Sequence, residues 1–524
     1  MFSWGFALVN HYVLRFRGTA LFPIDILSWR TAANVADAYD FTPDTRMWIS
    51  LGILAVYILC ALLTRDKYPK KVTWQLRAPV AAVLAGFLFC YFCTGMLPYF
   101  GIYAEQWLTR KNGFIFNFMT ALRYSFATEP EDYEPEDIEQ FKLEFMDELE
   151  EAPAQPEPET EPVNIIIIMN ESWADLSVYE NYSVSGDTMN NIRSLEENTV
   201  SGYLLAPVAG GGTANVEYEV LTGNPYIFLP GGTVAYQLFI DSDSPSLAEI
   251  SEADATFAFH PYLASGWNRP QAYEYLGFDE QLFDEDVEDP EYVRNYISDE
   301  CSFDVITDIT EAESGETFIF NVTMQNHSGY DQGWNNLDRD VHLTGDLTGE
   351  SASAEQYLNL ADMTDEAFAE LIEYYENCSE PTIIAMFGDH QPPLSDEFFE
   401  KLLGKPESEL SDEERMVEFL VPFVVWANYD IPEDDDVFLS CNYFGLLVSD
   451  LAGVERTPYM EFIADVAQAL PVIHKLGFVD DEGEFIDSRD ELDPQEAQLL
   501  DTYEMLAYNY LFDRQQGDEF FEGD

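Results

Sequence analysis

Four short apolar runs constrain the fold of this sequence more than any other feature. They are NIIIIM (Asn164 to Met169), TFIFNVTM (Thr317 to Met324), TIIAMFG (Thr382 to Gly388) and FLVPFVVWA (Phe419 to Ala427). Each is short for a helix and rich in β-branched or aromatic residues, which marks it as a strand. A strand with no polar face must be covered on both sides. Helix-like segments such as ADMTDEAFAELIEYYENC separate some of the runs. The pattern therefore predicts an α/β fold with a mostly parallel sheet between helices. Sheets of this kind take ligands beyond the carboxyl ends of their strands.

Three of the runs end in chemistry. NIIIIMNES delivers Glu171, TFIFNVTMQNHSG delivers His327, and TIIAMFGDHQPP delivers the adjacent pair Asp389 and His390. One glutamate or histidine after a strand is more often a cap or a satisfied polar group. Four such groups on one sheet edge point to metal binding or to polarisation of a substrate.

A fifth residue joins them. In AGGGTANVEYEVLTGN, three glycines (Gly210 to Gly212) run into Thr213, and a short helix is expected to follow, ended by Gly223. Thr213 then stands at a helix N-terminus, where N–H groups and the helix dipole favour an anion such as phosphate. A threonine hydroxyl is a weak nucleophile, and no histidine lies near it in sequence. A divalent cation held by Glu171, Asp389 and His390 would stabilise its alkoxide. Oxygen and nitrogen ligands without thiolate suit manganese or magnesium. Thr213 as a plain helix cap would leave the three glycines unexplained.

The chain holds 98 acidic and 24 basic residues, for a formal net charge of −74. Residues 1–111 contain 6 of those acids and 11 of those bases, so the remainder is overwhelmingly acidic. Such a surface repels nucleic acid, which excludes that partner class. Its plain meaning is a solvated face, adapted to salt; the sharper one is a surface that collects cations. Cys301, Cys378 and Cys441 stand far apart in the acidic part and form no disulfide framework.

Residues 47–64 carry no charge, and neither do residues 78–104. Transmembrane helices are expected at about 47–64 and 78–101. Arg65, Lys67, Lys70, Lys71 and Arg77 crowd the connection, which places it in the cytoplasm and the following chain outside the cell. The opening MFSWGFALVNHYVL is apolar but too short to span. The membrane region, residues 1–112, is therefore expected to be truncated at its N-terminus. Residues 113–162 divide into the phenylalanine-rich GFIFNFMTALRYSF, expected as an interfacial helix, and an acidic, proline-rich linker. Residues 163–524 are then the catalytic domain.

At this point the residues carry a resemblance. NIIIIMNESW, GGGTANVEYEVLTGN, FLPGGTVAYQ, FHPYLASGWNRPQAYEYLGFD, NVTMQNHSGY and FGDHQPPL resemble, in order, the motifs of the lipoteichoic acid synthase family. These are membrane-anchored phosphoglycerol transferases of the alkaline phosphatase/sulfatase superfamily. LRFRGTALFPIDILSWRTAANVADAYDF is also similar to that family's segment between transmembrane helices. The family's members resemble a five-helix membrane domain, against two spans and a fragment here.

The resemblance implies that Glu171, Thr213, Asp389 and His390 hold one divalent ion, manganese or else magnesium, with Thr213 also the nucleophile. It implies that His260, Trp267, Arg269 and His327 hold the glycerophosphate. Arg269 would fork onto phosphate oxygens, Trp267 would cover the glycerol, and the imidazoles would donate to the phosphoryl group. His327 would serve as acid or base. The implied reaction takes glycerophosphate from phosphatidylglycerol through a phosphothreonine. It delivers the group to a growing poly(glycerophosphate), a glycolipid, a teichoic acid or another glycan. The implied location is the cell membrane, multi-pass, with the catalytic domain extracellular.

The alternatives are a phosphoethanolamine transferase, a phosphodiesterase, or a non-enzymatic acidic protein that binds cations at the cell surface. A formylglycine sulfatase is disfavoured because no Cys/Ser-x-Pro-x-Arg motif is present.

Overall fold

The computed structural model describes residues 2–17, 21, 23, 42–43, 45–64, 74–94, 113–124, 127–151, 163–330, 332–337, 339–515 and 517–523. They fall into two compact units. One comprises Met1–Thr128 with Leu229–Thr233, the other Glu129–Phe228 with Val234–Asp524.

The first unit contains the helices Phe2–Arg17, Thr45–Thr64, Trp74–Cys93 and Phe114–Tyr124. Phe6 packs on Phe114 and Phe118, and the Tyr91 and Thr120 hydroxyls share a 2.9 Å hydrogen bond. Two of these helices turn apolar side chains outward: Ile53, Leu63 and Val83 are 66%, 70% and 74% exposed. Among the described residues, no helix is long and apolar enough to cross a membrane. The expected span at 78–101 is helical as far as Cys93. Its remainder from residue 95, most of the basic connection (65–73) and linker residues 152–162 lie outside the described residues.

Among its described residues the second unit has thirteen strands: β1 (Asn164–Asn170), β2 (Thr199–Leu205), β3 (Ala255–Phe259), β4 (Glu280–Leu282), β5 (Tyr292–Val293), β6 (Tyr296–Ile297), β7 (Thr317–Val322), β8 (Thr382–Gly388), β9 (Leu420–Ala427), β10 (Asp434–Ser440), and a small three-stranded sheet of β11 (Val472–His474), β12 (Gly477–Val479) and β13 (Phe485–Ile486). Eight of them form one sheet in the order β10-β2-β9-β8-β1-β7-β3-β4. Within it β9 alone runs against its neighbours, and every other pairing is parallel. The chain leaves β8 at the carboxyl edge and re-enters β9 at that same edge, so no crossover is needed. Pro422 is tolerated inside β9 because it lies one residue past the last β8 pair, Phe387 with Phe423. β5 and β6 form a separate two-stranded hairpin.

The apolar runs are buried as their composition requires: every residue of β7 and β8 is buried. Ile166, Ile168, Ile319, Ile384 and Met386 meet Phe303 and Ile306 of the helix Asp299–Ala312, and Phe368 and Leu371 of the helix Ala352–Glu376. The acidic helix Pro135–Glu151, in the stretch expected as linker, packs into this second unit. Tyr133 and Ile138 join a core cluster with Phe462, Tyr503 and Phe520. Lys142 is 2% exposed, with its ammonium 2.6 Å from Asp518 and 2.5 Å from Glu139.

Candidate active site

Asp389 follows β8 directly, and Gly388 is what lets β8 end there. A Cβ at Gly388 would lie 1.9 Å from the Trp173 carbonyl oxygen, so only glycine permits this approach. The contact brings the turn after β1 against the end of β8. Within that turn Ser172 takes a left-handed backbone (φ +54°). Its N–H donates to Asp389 Oδ1 at 2.7 Å and its hydroxyl to Glu171 Oε1 at 2.9 Å. Thr213 arrives from the third side. Gly210, Gly211 and Gly212 have φ of +65°, +146° and +104°, a run that side-chain-bearing residues rarely adopt, and the helix Thr213–Thr222 starts at once.

Ligand atoms of Glu171, Asp389 and His390 all lie within 4.8 Å of one another. His390 Nε2 is 3.3 Å from Asp389 Oδ2 and 3.7 Å from Glu171 Oε1, and the Thr213 hydroxyl donates to Glu171 Oε2 at 3.5 Å. All four residues are at most 5% exposed. His390 Nδ1 is 2.9 Å from the Gln391 carbonyl, which requires Nδ1 to carry the proton and donate. The Nε2 lone pair then faces two carboxylates, and buried Asp389 Oδ2 has no hydrogen-bond partner among the described residues. Electron-rich atoms gathered so closely need a cation between them or an extra proton among them.

The electrostatics carry the same strain. Burial raises the Asp389 carboxyl above its ordinary range, and the Glu171 charge raises it further. For His390, burial acts to lower the pKa, but the charges of Asp389 and Glu171 outweigh it and the net shift is upward. A divalent cation would relieve both. The donor set fits such an ion, with Glu171, Thr213, Asp389 and His390 as the residues to hold it.

The residues expected to hold glycerophosphate are arranged less simply. His260 is 2% exposed, and its Nδ1 is 2.8 Å from the Val322 carbonyl. Burial first, then the Arg269 charge, push its pKa well below the usual histidine range. His260 is therefore neutral with Nε2 unprotonated, suited to accept from a hydroxyl rather than to donate to a phosphoryl oxygen. Arg269 departs further from expectation. Its Nη2 lies 2.6 Å and its Nε 3.1 Å from Glu217 Oε1, and Glu217 is fully buried on the helix that begins at Thr213. The Tyr273 hydroxyl donates to the same carboxylate at 2.7 Å. A phosphate fork through these two nitrogens is thus already taken. Trp267 is half-buried in a left-handed turn (φ +55°), followed by Asn268 at φ +66°. Consecutive left-handed residues of this size are costly and cluster at ligand sites.

His327 follows β7, and ring contacts connect it to His260. His260, Tyr262, Tyr296 and His327 succeed one another at centroid distances of 6.2, 5.8 and 5.4 Å. The Tyr296 hydroxyl is 3.1 Å from His327 Nδ1. Behind this wall lies a buried polar network. Asn170 donates to Asp299 at 2.9 Å, Thr364 donates to Asp299 at 2.6 Å, and Asn326 donates to Asn170 at 2.8 Å. The Glu171 N–H meets the Thr323 hydroxyl at 3.2 Å. The end of β1 is thereby tied to the loop that carries His327. Sequence reasoning passed over Ser172, Arg294, Tyr296 and Asp299. Ser172 had a signal in its place beside Glu171, and Arg294 in being the single lysine or arginine between Arg269 and Arg339.

Comparisons with known proteins agree with this architecture. The Sulfatase family model matches residues 163–454. A Rhizobium meliloti (strain 1021) protein named for modification of cyclic beta-1,2-glucan is 27% identical over 420 residues, covering 79% of this chain and 63% of its own length. The capsular polysaccharide biosynthesis protein RkpI of the same organism is 26% identical over 247 residues, 44% of this chain and 41% of its own. The chain thus spans less than two thirds of either relative.

Among solved structures, the chain is similar to the Streptococcus pyogenes phosphoglycerol transferase GacH in complex with sn-glycerol-1-phosphate. That match has a TM-score of 0.61 and 19% identity, over 74% of this chain and 96% of that one. It is also similar to the lipoteichoic acid synthase LtaP from Listeria monocytogenes, with a TM-score of 0.51 and 16% identity, over 72% and 97%. At these identities the likeness shows a shared fold. The family match covers more than half of the sequence, and the chain belongs to the sulfatase family of the alkaline phosphatase superfamily, whose members are typically metal-dependent enzymes.

Proposed function

We propose that this protein is a metal-dependent phosphotransferase that moves glycerophosphate from phosphatidylglycerol to a glycan hydroxyl, with Thr213 as the covalent relay. The observation that carries the reading is the convergence of the Thr213 hydroxyl with Glu171, Asp389 and His390 at the N-terminus of the helix Thr213–Thr222. A divalent ion held by these residues supplies a lowered pKa for the threonine hydroxyl and positive charge for the phosphoryl oxygens.

The chain's own groups supply the rest. Thr213 Oγ attacks phosphorus, the bond from phosphorus to the diacylglycerol oxygen breaks, and the hydroxyl proton ends on that leaving oxygen. An acceptor hydroxyl then attacks the same phosphorus, the Oγ–phosphorus bond breaks, and the acceptor's proton returns to Thr213. The helix N-terminus faces the negative charge in both steps. His327, held by Tyr296, is the group we assign to proton movement at the departing or attacking oxygen. His260 Nε2 accepts a glycerol hydroxyl, and Trp267 covers the glycerol backbone.

The names of the relatives, glucan modification and capsular polysaccharide biosynthesis, support a glycan acceptor over poly(glycerophosphate) alone. The fold shared with structures titled phosphoglycerol transferase and lipoteichoic acid synthase supports the transferred group. The outward apolar side chains of Thr45–Thr64 and Trp74–Cys93, the second continued in sequence by charge-free residues to 104, support a membrane anchor with the acidic unit extracellular. The test is transfer from radiolabelled phosphatidylglycerol vesicles to cyclic glucan with manganese present. Diacylglycerol release with labelled glucan is expected. Release without any labelled acceptor would reduce the protein to a phosphodiesterase.

A further inference from the structure

The hairpin β5–β6 turns at Arg294 and Asn295, and Arg294 holds a left-handed backbone (φ +57°) there. The side chain is 5% exposed, yet among the described residues no carboxylate lies within ion-pair distance of it. Its Nη2 donates to the carbonyls of Gln325 and His327, both at 2.6 Å. Its guanidinium lies against the faces of Tyr296 and Tyr330, 5.3 and 5.5 Å from the ring centroids. Its Nε is buried without a hydrogen-bond partner, and no bond from Nη1 is found among the described residues.

A cation removed from water without a counter-ion is expensive, and carbonyls and ring faces offset only part of that cost. Arg269 shows the contrast, equally buried and fully paired by Glu217. The carboxylate whose field reaches Arg294 is Glu171, the candidate metal ligand, and burial still leaves the guanidinium below its ordinary pKa. The same side chain grips the main chain of His327, whose ring is held by Tyr296 from the same hairpin.

We infer that Arg294 is the cationic contact for a phosphoryl oxygen at this site, the part that Arg269 cannot play while Glu217 holds it. This rests on the phosphotransferase reading above. The phosphoryl group belongs either to the donor headgroup or to a phosphate already attached to the acceptor. In both cases the missing counter-charge arrives with the ligand, next to His327, and the N–H groups left without partners are the ones that meet it.

The experiment uses the full-length protein in detergent with manganese, and sn-glycerol 1-phosphate as the probe. Arg294→Lys keeps one positive charge, and Arg294→Gln removes it. Binding of the probe should weaken about 10- to 100-fold in Arg294→Gln, the worth of one charge-assisted hydrogen bond, and less in Arg294→Lys. Manganese affinity should stay within about twofold, because Arg294 holds no metal. Quenched-flow then separates the sources: slower formation of the Thr213 adduct assigns the contact to the donor, and slower decay alone assigns it to a phosphate on the acceptor.

Because Arg294 also supports a turn, a wild-type structure with manganese and sn-glycerol 1-phosphate gives an answer that does not depend on variant folding. A phosphoryl oxygen within hydrogen-bond distance of Nη1 or Nε is expected. A bound probe that leaves Arg294 unengaged, with equal affinity in folded variants, overturns the inference alone. A wild-type protein that neither binds the probe nor forms an adduct overturns the phosphotransferase reading and this inference with it.

Discussion

Replacing Arg269 by methionine should destabilise the second unit before it reveals anything about phosphate. Glu217 is fully buried and Arg269 is 2% exposed, with nitrogen–oxygen contacts of 2.6, 3.1 and 3.3 Å between them. Removing the guanidinium leaves a carboxylate in the core with only the Tyr273 hydroxyl, 2.7 Å away, as partner. Breaking a buried pair from one side costs about 3–5 kcal/mol. Replacing both partners by apolar residues avoids the stranded charge. Arg269→Met with Glu217→Leu should therefore recover most of that loss, short of about 1–3 kcal/mol for the stranded Tyr273 hydroxyl. The assay is guanidinium unfolding of the full-length protein in detergent, followed by tryptophan fluorescence, for wild type, both single variants and the double. A coupling energy near the single-variant cost is expected. If Arg269→Met loses under about 1 kcal/mol yet abolishes transfer, the pair is weak and Arg269 is free to clamp phosphate after all.

Gly388→Ala should abolish metal retention, because its Cβ would sit 1.9 Å from the Trp173 carbonyl and drive the β1 turn away from Asp389; isothermal titration with manganese checks it. Glu171→Gln should weaken manganese binding by at least about tenfold while keeping the melting temperature, since the amide preserves shape but not charge. His474 is buried, and burial with the Lys475 charge lowers its pKa to about 3. Between the usual histidine value and that point the unfolded chain binds a proton that the folded one refuses. Stability from this group therefore falls by about 1.4 kcal/mol per pH unit as the solution is acidified. His474→Gln should flatten the acid limb of stability against pH, and an unchanged slope would contradict the burial argument.

The strands that could be read from sequence are those whose burial left no room for polar residues: β1, β7, β8 and β9. β2 escaped notice because Ser201 and Gly202 interrupt it, and Gly202 is there for packing: a Cβ would meet the Val437 carbonyl at 2.0 Å. β10 begins with three exposed aspartates, which suit an edge that must not pair further but look like a loop. The opposite direction of β9 left no local mark. At the site, each strand-end residue was visible because it directly follows an apolar run. Glu217 was hidden because a glutamate inside a helix looks like surface, and only the fold shows Arg269 buried against it. Arg294 was hidden in the same way, since an arginine in an acidic stretch suggests a surface salt bridge. The helix Pro135–Glu151 read as linker because its composition is acidic, while the residues that dock it, Lys142 and Asp518, are 376 positions apart.

The most direct test of the central claim is mass spectrometry of the full-length protein with manganese, acid-quenched during turnover of phosphatidylglycerol vesicles. A glycerophosphate adduct is expected on the peptide containing Thr213, absent from Thr213→Ala and present at a reduced rate in Thr213→Ser, where the hydroxyl survives. Normal turnover by the Thr213→Ala protein, with no adduct in wild type, would contradict the covalent relay and leave Thr213 as nothing more than the first residue of a helix.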